Sequence, residues 1–137
     1  IFFVSMHQDP RTCYPGTGFA KENGRGVGTG YTLNVPVPPG IEDTEYLQIF
    51  STDVKPKLEE YNPDFVLISA GFDAHRDDPL ASLNLTESTF KKLSFELKHL
   101  AEQTAGGRML SILEGGYELN ALSSCVSEHL QILASDE

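Results

Sequence analysis

The stretch Val66-Leu67-Ile68-Ser69-Ala70-Gly71-Phe72-Asp73-Ala74-His75-Arg76-Asp77-Asp78-Pro79-Leu80 constrains this chain more than any other. Its first part is a short apolar run rich in β-branched residues, the pattern of a buried parallel strand. At Ala70-Gly71 the side chains shrink, so the backbone can turn tightly or another group can approach. Asp73, His75, Asp77 and Asp78 then crowd just past the strand's carboxyl end. In an open α/β sheet that edge is where ligands bind. Carboxylates this close together are costly to bury without an opposite charge among them, and a metal ion is the simplest one.

The remaining segments predict how that strand is housed. Residues 1–5, Ile1-Phe2-Phe3-Val4-Ser5, read as a buried strand. A loop from His7 to Gly30 follows, with Pro10, Pro15 and repeated glycines but no helical or alternating period. Loops of this length inside a compact domain are usually functional or disordered, and the turn chemistry of Tyr14-Pro15-Gly16-Thr17-Gly18 favours a defined path and a function. Gly24-Arg25-Gly26-Val27-Gly28-Thr29-Gly30 has the look of a phosphate cradle. It leads into a strand at 31–35 instead of a helix, however, and lacks the Gly-Lys-Ser/Thr ending.

Pro36, Pro38, Pro39 and Gly40 end that second strand. Asp43 or Thr44 then caps a helix over 44–60, amphipathic through Tyr46, Leu47, Phe50, Val54 and Leu58, with Pro56 placed to kink it or end it early. Asn62-Pro63 turns the chain into the strand at 65–70. Beyond the acidic loop, Leu85-Thr86-Glu87-Ser88 starts a helix whose period (Phe90, Leu93, Leu97, Leu100) runs to about Gln103. Gly106-Gly107 breaks it, 108–113 forms a fourth strand, and Glu114-Gly115-Gly116-Tyr117 is its exit. Asn120 caps a last helix through Leu122, Val126, Leu130 and Leu133. The order β–loop–β–α–β–α–β–α predicts an α/β fold, a parallel sheet with crossover helices. Successive parallel strands point the same way, so the exits after strands one, three and four share one edge. No repeat or linker divides the 137 residues.

Composition narrows the function classes. A net charge of −10 gives no basic stripe for nucleic acid. It is compatible with cationic substrates, although acidic surfaces are common. Cys13 and Cys125 form no Cys-x-x-Cys, which indicates neither a zinc ribbon nor a disulfide framework and fits a reducing compartment. No apolar run approaches the roughly 18 residues of a membrane span, and no leader pattern is present. The chain opens on a bare apolar strand without an initiator Met, which is read as a piece of a longer chain.

Three ordered motifs resemble the zinc-dependent histone deacetylase family, including its bacterial deacetylase-like and acetylpolyamine amidohydrolase-like members. They are Ser5-Met6-His7 with Tyr14-Pro15-Gly16-Thr17-Gly18, then Ser69-Ala70-Gly71-Phe72-Asp73-Ala74-His75 with Asp78-Pro79-Leu80, and finally Leu113-Glu114-Gly115-Gly116-Tyr117. The match runs over nearly the whole chain. It implies an α/β, arginase/deacetylase-like three-layer fold, incomplete here, with 1–137 as the C-terminal part of a single catalytic domain built around one Zn2+. It further implies hydrolysis of the amide of an acylated lysine or polyamine, and a cytoplasmic protein, or a nuclear one in a eukaryote.

Residue by residue, the resemblance makes Asp73 a zinc ligand and Tyr117 the phenol that hydrogen-bonds the substrate carbonyl and its oxyanion. A tyrosine suits that task as an oxyanion-hole donor does. The same positions are open to plainer readings, a turn or cap aspartate and a half-buried aromatic. Tyr14 corresponds to an aromatic wall of the acyl-lysine channel, and Gly115 and Gly116 to backbone lining it. His75 imitates a ligand pair with Asp73, but the family's Asp-x-His ligands lie at an earlier strand exit. Asp77 and Asp78 are read as caps or braces, and His7 as a hydrogen-bonded structural histidine. Ser5, Met6 and Tyr31 fall near where the family holds a structural monovalent cation. A catalytic zinc needs three protein ligands and an open position, and the family's base is a histidine pair. This chain has no His-His pair and one plausible ligand. Alone it is expected to bind zinc poorly and turn over nothing. A non-catalytic fragment or binding module that keeps the sheet is the rival reading.

Overall fold

A computed structural model describes residues 1–135. Four strands are seen, β1 (Phe3–Gln8), β2 (Thr32–Val37), β3 (Val66–Ala70) and β4 (Met109–Leu113), with four helices, α1 (Asp43–Ile49), α2 (Lys55–Tyr61), α3 (Glu87–Ala105) and α4 (Leu119–Ala134). The strands pair in two separate parallel ladders, β1 with β2 and β3 with β4. In register, Phe3 faces Thr32 and Gln8 faces Val37, while Val66 faces Met109 and Ala70 faces Leu113. The β3–α3–β4 unit is the crossover expected between parallel strands. The α/β class is as read from the sequence, with two short ladders where one sheet was expected.

Several boundaries differ, each for a local physical reason. The first strand begins two residues later than expected and runs on to Gln8. It is mostly half-buried, with Phe3 exposed and only Gln8 fully covered. β2 continues through Pro36 to Val37 instead of stopping at the proline. A parallel ladder uses alternate residues, and the carbonyls of Tyr31 and Val37 accept from Phe3 and Asp9. Pro36 therefore turns its nitrogen to the other edge, where its missing N–H costs this ladder nothing.

The expected helix over 44–60 is two α-helices joined by a π turn, Phe50–Val54. There Lys55 N–H donates to the Phe50 carbonyl, a wider turn that places Pro56 in the first turn of α2, where a proline is tolerated. Tyr46, Phe50 and Val54 still bury as one stripe. Asn62, at φ 52°, closes α2 in the left-handed conformation that asparagine accepts more readily than most residues.

Two caps were assigned to the wrong partner. Asp43 is the first residue of α1, and its carboxylate serves α3: it accepts from Thr86 N–H (2.8 Å), Thr86 hydroxyl (2.6 Å) and Thr89 hydroxyl (2.6 Å). Burial alone would raise its pKa, but these hydrogen bonds outweigh burial and hold it below the usual value. Asn120 does not cap α4. Glu118 does, accepting from Ala121 N–H at 2.7 Å, with the Asn120 amide donating to the same carboxylate.

The main core gathers Val37, Ile41, Tyr46, Ala70, Phe72, Leu83, Leu85, Phe90 and Cys125, and a smaller one joins Val66, Leu100 and Ala101. Phe72, inside the acidic motif, is a core residue: its ring packs on Phe90 at 5.3 Å and edge-on to His129 at 5.9 Å. β3 buries only one face. Leu67 is 62% exposed beside Leu110 and Ile112 of β4, so the strand is covered by helices on one side and open on the other. On α4 the fully buried positions are Ala121, Cys125 and His129, while Leu122 and Val126 of the expected stripe are partly buried and pack against the main core. Leu130 is exposed.

His129 is buried with both ring nitrogens engaged, Nδ1 to the Ser94 hydroxyl (2.6 Å) and Nε2 to the Ser111 hydroxyl (2.8 Å). Ser94 spends its proton on the Phe90 carbonyl, so Nδ1 carries the ring proton and Nε2 accepts from Ser111. Burial lowers the pKa of this histidine below its ordinary value. The unfolded chain then binds the proton more readily than the folded one. The stability that the neutral ring contributes is complete above about pH 6.5 and falls as pH drops below it. Thermal melts of the full-length protein should show a larger loss of Tm between pH 7.5 and 5.5, about one unit either side of that value, in the wild type than in His129→Gln. An equal loss in both would assign the acid sensitivity to other groups.

Candidate active site at two strand exits

The two ends of β3 and β4 are held together past the strands themselves. Glu114 N–H donates to the Ala70 carbonyl (3.0 Å) and Phe72 N–H to the Gly115 carbonyl (2.8 Å). Gly71-Phe72-Asp73 and Glu114-Gly115-Gly116-Tyr117 therefore leave the ladder side by side. Asp73 is half-buried in the gap, its carboxylate wedged between two glycine backbones. A Cβ on Gly115 would stand 2.8 Å from Asp73 Oδ2, and one on Gly71 would stand 3.3 Å from Oδ1. Gly115 is thus required by the approach of Asp73. Gly116 is required by its φ of 139° and by Leu122, whose Cδ1 would lie 2.7 Å from an added Cβ. Gly115→Ala in the full-length protein should cost about 1–3 kcal/mol as an overpacked site. Gly28→Ala, with open space around it, should stay within about 0.5 kcal/mol of wild type. Denaturant melts check both.

Burial is the largest influence on Asp73 and raises its pKa. Its own backbone amide opposes this, while the charges of Asp78 and Glu114 add to the rise. An ionised carboxylate here is short of positive charge, the condition a cation relieves. Tyr117 follows at the β4 exit, 55% exposed, its main-chain N–H donating to Asp78 Oδ2 at 2.8 Å. Asp78 is therefore a brace, as the sequence suggests, but it reaches beyond its own loop.

His75 is buried. Its Nδ1 accepts from Asp77 N–H at 3.2 Å, and its Nε2 lies 3.5 Å from Glu87 without a hydrogen bond. Among the described residues, only Nδ1 of this ring is hydrogen-bonded. His7 is a structural residue: Ser5 hydroxyl meets Nδ1 and the Gly18 carbonyl meets Nε2, each at 2.8 Å. A Cβ at Gly18 would lie 2.6 Å from that ring, so His7 fastens the Tyr14–Gly18 turn to β1. Tyr14 itself is 95% exposed, so the structure gathers Asp73, Gly115, Gly116 and Tyr117 and leaves Tyr14 projecting from the loop. At the expected cation position the Ser5 hydroxyl is taken by His7, and the Tyr31 carbonyl by Phe3 N–H.

Gln8 went unnoticed in the sequence. Buried at the end of β1, it accepts from Ser82 N–H at 2.8 Å and donates to the Thr12 hydroxyl at 3.1 Å, tying the first strand exit to the end of the acidic loop. A lone amide closing an apolar strand is its only sequence signal. Among the described residues no three His, Cys, Asp or Glu side chains gather as a metal would need. Asp73 suits one position of such a set, and the described residues do not complete it.

A family model described as the histone deacetylase domain matches residues 1–133. The chain is 43% identical over 137 residues to histone deacetylase 14, chloroplastic, of Arabidopsis thaliana, covering all of this chain and 32% of that protein. It is 41% identical over 119 residues to a probable deacetylase of Archaeoglobus fulgidus, covering 87% and 33%. The acetylpolyamine aminohydrolase of Burkholderia pseudomallei superposes with a TM-score of 0.87 at 29% identity, covering 98% of this chain and 38% of that one. The chain thus spans about one third of the length of these relatives, and their arginase/deacetylase fold is the one it shares.

Proposed function

The chain belongs to the histone deacetylase domain family, and on that premise we propose that the full-length protein hydrolyses the amide of an acylated amine, acetyl-lysine or an acetylpolyamine, releasing acetate. The observation that carries this reading is the pairing of Asp73 and Tyr117 on adjacent strand exits, with the Gly115 backbone pressed against the Asp73 carboxylate. The chain is assigned to the C-terminal part of a single catalytic domain. When bound, zinc supplies Lewis acidity and a more acidic water. Asp73 would be one of the residues that hold that ion. Tyr117 donates its phenolic proton as a hydrogen bond to the substrate carbonyl, and more strongly to the oxyanion that develops there. Gly115 and Gly116 keep the approach free of side chains; Tyr14, 95% exposed on its loop, would line the acyl path only once substrate or further chain closes over it. A general base would take the proton from the attacking water, and this chain has no His-His pair to serve as one.

A second reading concerns this chain in isolation: with one ligand position, it keeps the ladders and holds no zinc. One experiment addresses both. The full-length protein, incubated with an acetyl-lysine peptide and with an N-acetylated polyamine, should release acetate, lose activity to a chelator and regain it on adding Zn2+. Residues 1–137 alone should do none of these. Full activity after exhaustive metal removal would overturn the zinc assignment. No helix among the described residues is long and apolar enough to cross a membrane. We place the protein in the cytoplasm, which microscopy of the tagged full-length protein tests.

A further inference from the structure

We propose that Asp78 is a positioning residue that acts through Tyr117, locking the Tyr117 main chain to the loop that carries Asp73. This rests on the deacetylase reading above. Tyr117 has little else to hold it in place. Its ring is more than half exposed, and two glycines precede it, Gly116 with φ 139°. α4 does not begin until Leu119. The hydrogen bond from its amide to Asp78 Oδ2 (2.8 Å) spans 39 residues of sequence. Asp78 is only 8% exposed, so water competes poorly for that bond.

The other carboxylate oxygen, Oδ1, accepts from Leu80 N–H at 2.9 Å and more loosely from Ala81 N–H at 3.4 Å. A carboxylate is required because both of its ends face N–H donors. An asparagine would turn its NH2 toward one of them and replace attraction with a donor–donor clash. The anchor is itself secured: Ser82 N–H, at the end of the same turn, donates to the buried Gln8 of β1. The Asp78–Ser82 turn thus joins all three strand exits, and through Asp78 it sets the distance between the phenol and the Asp73 carboxylate. A misplacement of about 1 Å at a reacting group can cost about 100-fold in rate.

The test uses the full-length protein with Asp78→Asn, Tyr117→Phe and the double substitution. Asp78→Asn should raise hydrogen exchange at the Tyr117 amide by about tenfold or more while the amides of α3 keep their protection. It should lower kcat by about 10–100-fold with KM and zinc content close to wild type. In the Tyr117→Phe background it should lower kcat no further, because the two residues act as one unit. Asp78→Ser keeps an acceptor for the Leu80 turn and gives up the reach to Tyr117, and should show the same pattern if Asp78→Asn does not fold. Unchanged exchange at Tyr117, or losses that add in the double substitution, overturns the role of Asp78 alone. A wild type that releases no acetate overturns the deacetylase reading and this role with it.

Discussion

On the proposed deacetylase reading, Tyr117→Phe in the full-length protein is expected to lower kcat by about 10²–10³-fold, or about 2.7–4 kcal/mol of barrier, the effect of removing one oxyanion donor. KM moves little, because the lost hydrogen bond is strongest where charge develops on the carbonyl oxygen. The substitution is clean for a structural reason. Tyr117 is more than half exposed, its main chain is tied through its amide to Asp78, and no hydrogen bond joins its hydroxyl to another described residue. The fold loses nothing when the hydroxyl goes, so Tm and zinc content stay at wild-type values. Steady-state acetate release alongside a thermal melt checks both halves. Near-normal turnover by this variant would remove Tyr117 from the chemistry.

On the proposed reading, Asp73→Asn in the full-length protein is expected to abolish activity and empty the metal site, yet to stabilise the metal-free protein at neutral pH. The two effects share a cause. Burial and the neighbouring charges of Asp78 and Glu114 raise the Asp73 pKa, so the folded state favours its protonated form more than the unfolded state does. Without metal, the ionised group therefore opposes folding. That cost is present at neutral pH and is relieved as pH falls through the carboxyl range. An uncharged amide of the same shape removes the cost and also removes the ligand. The loss of zinc affinity should exceed the about 10–100-fold that losing a mere outer partner of a ligand brings. Metal analysis, and melts of chelated wild type and variant from about pH 3 to 7, from below the usual carboxylate value to well above it, check the prediction. A chelated variant less stable than chelated wild type at pH 7 would show that Asp73 is held by contacts other than a cation.

The same contrast between local and long-range physics runs through the fold. β3 and β4 were legible because each is a short apolar run bounded by breakers, Asn62-Pro63 before one and Gly106-Gly107 before the other. The start of α3 was legible from Thr86 and Glu87, and its end lies at Ala105, two residues past the expected Gln103, where Gly106 adopts φ 58°. The caps were not. Asp43 and Asn120 are residue types that cap helices, but each falls just inside its own helix: the Asp43 carboxylate meets the N-terminus of another helix, and Glu118, the residue before α4, accepts from Ala121 N–H. The buried face of α4 was legible in part: Leu122 and Val126 pack against the core as expected, but Leu130 is exposed and the fully buried positions lie one residue before them. Large leucines mark a helix as amphipathic, whereas the small residues Ala121 and Cys125, with the hydrogen-bonded His129, are what can approach its packing partners closely.

By itself the sequence determined the parallel α/β class, the residue types carried at each strand exit and the family those motifs resemble. These follow from residue type and near-neighbour spacing, which act over a few residues. Only the tertiary structure decided that Gly115 makes room for Asp73, that Asp78 holds Tyr117, and that Gln8 ties the first exit to Ser82. Each of those contacts joins residues tens of positions apart through a single polar atom or a missing methyl. No period or local propensity records such a contact; it exists only once the strands are paired and their exits lie side by side.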